Sequence, residues 1–143
     1  MFKNQPAGLY VLALANTGER FGYYTMLAIF LLFLQAKFGF DSTVSGQIYA
    51  VFLALVYFMP LIGGWVADKW SFSKCVVSGI CIMFVGYAIM ATPTEIRSTS
   101  SLVILCVSLL LIAIGTGLFK GNLQVIVLDL YNDQKYRVHD SYT

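Results

Sequence analysis

The chain has 143 residues, of which 59% are hydrophobic and 11% charged, with a formal net charge of +2 and a mean hydropathy of +0.78. A soluble domain carries about 25% charged residues, and a small one exposes much of its area, so this composition excludes a water-facing globule. No basic patch is present, which argues against a nucleic-acid ligand.

A membrane-spanning helix takes about 20 apolar residues, and four such runs occur, at roughly 7–35, 43–67, 73–92 and 100–131. The first and last exceed the minimum, so they are expected to tilt or to extend beyond the hydrocarbon. The N-terminal run is too long for a cleavable signal, carries charges in its middle and lacks a small-residue cleavage site. It reads as an uncleaved first span. Lys37 to Asp41 separates the first two helices, with Asp41 or Ser42 placed to cap the second. Asp68 to Ser71 separates the second and third. Pro93 helps to end the third, and 94–99 forms a polar link to the fourth. From Asn132 onward the chain is polar and reads as extramembrane.

Loop charges set the orientation. With the N-terminus inside, Lys3, Lys69, Lys74, Lys135 and Arg137 fall on the inner side, and Lys37 and Arg97 on the outer side. The balance places both termini in the cytoplasm. Small residues four apart mark helix contacts: Gly46, Ala50 and Ala54 on helix 2, Gly117 and Gly121 on helix 4. Cys75, Cys81 and Cys106 lie in apolar runs without metal-ligand spacing and read as buried thiols. His139 sits in the polar tail with no partner for metal or base chemistry, so neither metal nor cofactor is expected. No nucleophile and base set or phosphate loop points to an enzyme.

Glu19, Arg20 and Lys120 fall inside spanning segments, where a charge costs about 2.5–3.5 kcal/mol on insertion scales. They are expected to face protein or water and to compensate one another. Asn16, Glu19, Arg20 and Tyr23 recur at helical spacing and form one polar face in helix 1. Tyr24 follows Arg20 by four residues and can reach the same window. Lys120 is flanked by Gly115, Gly117 and Gly121, which allow a helix or a substrate close to the ammonium. One reading pairs Glu19 with Lys120 as a structural bridge between helices 1 and 4. Pairing one acid with one base leaves Arg20 over, and that surplus positive charge suits an anionic ligand group. Tyr57 on helix 2 is either a packing aromatic or a hydrogen-bond donor to ligand. Gln47 and Gln124 are expected to be satisfied within the bundle.

The run NTGERFGYY from Asn16 to Tyr24 resembles ExxERFxYY, the helix 1 signature of proton-dependent oligopeptide transporters. GTGLFKGN from Gly115 to Asn122 resembles that family's helix 4 motif. GGWVADK from Gly63 to Lys69 is similar to the loop after helix 2 in the major facilitator superfamily. The resemblance implies two six-helix bundles that alternate access around a midplane site. The expected fold is then an all-α membrane protein. Its four transmembrane helices, within 1–131, correspond to the start of the first bundle. A polar tail, 132–143, leads towards a fifth helix. By the same resemblance, Glu19, Arg20 and Lys120 form a switchable ion network tied to proton movement. Arg20 and Lys120 meet the peptide carboxylate, and Tyr23, Tyr24 and Tyr57 line the pocket. The role of Asn122 stays open. The implied partners are di- and tripeptides, protons, the lipid bilayer of the plasma or inner membrane and the transporter's remaining helices.

Two positions depart from the family pattern. Asn16 stands where the signature has its first glutamate, and an amide cannot take up a proton near neutral pH. The loop after helix 2 continues as WSFSK, from Trp70 to Lys74, where a glycine and more basic residues are usual. Two other readings stay open: an anion transporter of the same family, for nitrate as an example, and a small four-span structural protein.

Overall fold

The computed structural model describes residues 7–92 and 98–140, with side chains described as far as Leu130. Four helices account for them: α1 (Ala7–Phe38), α2 (Ser42–Trp70), α3 (Phe72–Met90) and α4 (Thr99–Asp140). Helices are what a lipid-immersed chain must form, because each satisfies its own backbone donors and acceptors. Stretches of all four are long and apolar enough to cross a membrane, α4 over Thr99–Leu130. Even α3, with 19 residues, reaches about 28 Å at 1.5 Å per residue, close to the hydrocarbon thickness.

The ends follow local chemistry. Gly39 closes α1 in the left-handed conformation, φ 68°, with its N–H donating to the Gln35 carbonyl at 2.9 Å, a helix stop that favours glycine. Asp41 caps α2, its Oδ1 accepting from the Val44 N–H at 2.9 Å, as expected. Only Ser71 separates α2 from α3, so both helices run to the very edge of the link. The third helix ends at Met90, two residues before the expected stop. Lys3, Pro93 and Arg97 lie outside the described residues, as do the side chains of Lys135, Arg137 and His139. The helix of α4 continues past residue 131 to Asp140. Leaving the apolar region does not end a helix when no glycine or proline breaks it.

Tyr23, Met26, Phe30, Leu34 and Phe38 form the buried stripe of α1. They pack with Phe52 and Val56 of α2 and with Leu105, Leu109, Ile112 and Ala113 of α4. Phe30 meets Phe52 edge-on at 5.7 Å. A second cluster joins Val76 and Met83 of α3 to Phe119 and Leu123 of α4.

Glycines set the closest approaches. A Cβ on Gly79 would stand 2.7 Å from the Gly115 carbonyl, and one on Gly115 would stand 2.5 Å from Met83 Cγ. These contacts join α3 to α4. Gly63 of α2 faces the Gly117 carbonyl of α4, and a Cβ on Gly117 would stand 2.5 Å from the Met59 Cβ. The expected row of Gly46, Ala50 and Ala54 does not share this role. Nothing lies within 4 Å of a Cβ at Gly46, and Ala50 and Ala54 are exposed. Gly121 is looser than Gly117, with Pro60 at 3.8 Å.

Two further expectations are corrected. Cys75 is buried, but Cys81 and Cys106 are exposed, because an apolar run does not specify which helix face turns inward. Gln47 and Gln124 face away from the four-helix core.

Candidate substrate and proton site

The charged groups of α1 sit midway along a helix whose next turns are apolar. Glu19 and Arg20 are chain neighbours, and Arg20 Nε lies 3.4 Å from Glu19 Oε2. The glutamate side chain is 6% exposed and that of Arg20 32%. Among the described residues, neither buried oxygen of Glu19 finds a hydrogen-bond donor. The pair is therefore a single ionic contact, not a forked one. Asn16, one turn earlier on this face, is partly buried.

Lys120 comes to the site from α4. Its Nζ stands 4.8 Å from the centroid of the Tyr57 ring, a cation over an aromatic face. Among the described residues no carboxylate pairs with it within ion-pair distance. The proposed Glu19–Lys120 bridge is thus absent, although Glu19 lies within the electrostatic reach of both Arg20 and Lys120. Arg20 is adjacent to the acid in the chain and takes the contact with Glu19 Oε2, while the Lys120 ammonium lies over the Tyr57 ring. The cation left over is Lys120, and not Arg20.

The tyrosines divide by burial. Tyr23 is buried at 5% exposure, and its hydroxyl has no hydrogen-bond partner among the described residues. Its ring meets Tyr24 edge-on at 5.6 Å. Tyr24 and Tyr57 are exposed on the outer face of the four-helix unit. Glu19, Arg20, Tyr23, Tyr24, Tyr57 and Lys120 thus occupy three helices, α1, α2 and α4, around one polar region. Tyr87 of α3 lies within electrostatic reach of Glu19. Sequence reasoning missed it, since a single tyrosine in an apolar run carries no spacing signal.

Gly115 and Gly117 do not open space beside the ammonium. They are filled by α3 and α2 respectively. Asn122 is buried, and its Nδ2 donates to the Gly63 carbonyl at 3.2 Å and to the Leu118 carbonyl at 2.8 Å. Chemically, the region holds one acid, two bases and phenolic hydroxyls, with Glu19 and Tyr23 buried and Tyr24 and Tyr57 exposed. Such a set can bind an anionic group and can take up or release a proton.

Residues 8–138 match the Major Facilitator Superfamily. An uncharacterized transporter, YclF, of Bacillus subtilis is 36% identical over 95% of this chain and 28% of its own length. A di-/tripeptide transporter of Lactococcus lactis subsp. cremoris is 35% identical, again over 95% of this chain and 28% of its own. Dipeptide and tripeptide permease A of Klebsiella pneumoniae is 31% identical over 97% of this chain and 27% of its own. The crystal structure of tetrameric PepTSo2 superposes with a TM-score of 0.79 at 33% identity, covering 92% of this chain and 28% of that one. The chain spans a little over a quarter of the length of the relatives it matches.

Proposed function

This chain belongs to the Major Facilitator Superfamily, and we propose that it forms the first four helices of a proton-coupled importer of di- and tripeptides. The observation that carries the reading is Lys120, a partly buried ammonium over the Tyr57 ring with no carboxylate partner among the described residues, while the acid of the region is already paired with Arg20. A peptide's terminal carboxylate supplies the missing charge. Arg20 is the second candidate base for it, engaged by Glu19 when no substrate is bound. Tyr23, Tyr24 and Tyr57 line the same region, and the Tyr23 hydroxyl is free to bond a ligand. Similarity to transporters named for di- and tripeptides supports the substrate class.

Proton coupling runs through Glu19 in this reading. A substrate carboxylate competes for the cations, the ionic contact to Glu19 weakens, and the acid takes up a proton. Asn16 supplies no second titratable group on that face. Orientation follows the loop charges, with both termini in the cytoplasm of a cell bounded by the plasma or inner membrane.

Uptake of radiolabelled dialanine and of nitrate by vesicles holding the complete transporter tests the proposal. Dialanine is expected to accumulate under an inward proton gradient, and nitrate is not. Nitrate accumulation without peptide uptake would overturn the peptide reading in favour of the anion one.

A further inference from the structure

Two residues beyond Lys120, Asn122 is 1% exposed, and its amide spans two helices. It bonds the Gly63 carbonyl of α2 and the Leu118 carbonyl of its own helix. A buried amide is costly unless its bonds are made, and an apolar side chain of similar size would fill the space without that demand. The bridge lies where α2 and α4 come closest, at Gly63 and Gly117. Glycine faces let backbones meet but carry no side chain to set rotation or register. Pro60 also lies inside α2 here, where it supplies no backbone donor. A slip of one residue along α4 would move Lys120 by about 1.5 Å and turn it by about 100°. That would take its ammonium off the Tyr57 ring, 4.8 Å away.

We infer that Asn122 is a positioning residue, whose amide keys α4 to the Gly63 carbonyl and so aims Lys120 at the substrate carboxylate. This rests on the role proposed for Lys120. The two glycine contacts bring the helices together, and the amide selects one register among those the glycines permit.

Asn122→Ser separates the two bonds. A helical serine can reach the carbonyl four residues back, here Leu118, but is too short for Gly63. In the complete transporter, the dissociation constants of dialanine and of dialanine amide are measured together by direct binding, with Lys120→Ala as reference. The dissociation constant of dialanine is expected to rise about tenfold, the scale of one buried hydrogen bond, while that of the amide stays unchanged. Asn122→Leu serves for the same comparison where the serine variant does not reach the membrane. Equal weakening of both ligands, or of neither, overturns the inference. Where Lys120→Ala separates the ligands and the Asn122 variants do not, only the positioning role falls. Where Lys120→Ala fails to separate them, the role of Lys120 falls with it.

Discussion

Neighbouring residues on a helix point about 100° apart and do not face each other well, yet Glu19 and Arg20 meet at 3.4 Å through a single nitrogen. Such a contact is easily exchanged, as the coupling proposed for Glu19 requires. Glu19→Gln cannot cycle a proton. In vesicles, it is expected to abolish uphill peptide accumulation while leaving exchange of internal for external peptide. Asn16→Glu adds a second acid one turn away, and like charges in one window change when each titrates. Uptake measured from pH 5 to 8 is expected to follow a different profile from the parent, and superimposable profiles would remove position 16 from coupling. The ionisable residues were legible in the sequence because charges inside apolar runs stand out. Their pairing was not. Spacing along one chain says that Glu19 and Arg20 share a helix face, but only packing shows that Lys120 reaches Tyr57 instead of Glu19.

At the scale of elements, the helices lock where glycines meet. A methyl group on Gly117 would press on Met59, on its Cβ at 2.5 Å and its backbone carbon at 2.7 Å. Backbone cannot yield as a flexible side chain does, and overpacking of this kind costs about 1–3 kcal/mol. Gly117→Ala is therefore expected to lower the unfolding midpoint of the four-helix chain in detergent. Gly46→Ala, with open space around it, is expected to leave it unchanged or to raise it slightly, since alanine favours helix. Equal effects would mean that the glycine seam does not hold α2 to α4. The number and order of helices were readable from apolar runs and punctuation, and the Asp41 cap followed from its position. The seam was misread at Gly46, Ala50 and Ala54. Regular spacing of small residues marks a face that can accept a neighbour, and it does not say which neighbour comes.

At the scale of the whole molecule, the four helices would supply one side of the proposed site. Tyr24 and Tyr57 face outward, and closing such a face takes an opposing bundle in the alternating-access arrangement. The relatives are more than three times as long as this chain, consistent with that need. Family membership was legible from two motif blocks, because residues that carry chemistry in lipid are few and tightly spaced. The central claim is that Lys120 receives the peptide carboxylate. Dialanine uptake driven by a proton gradient, measured in the complete transporter with Lys120→Ala beside the parent, tests it most directly. Loss of a desolvated charge partner costs about 3–5 kcal/mol, so the variant is expected to show no concentrative uptake at substrate levels that saturate the parent. Normal driven uptake by Lys120→Ala would contradict the account.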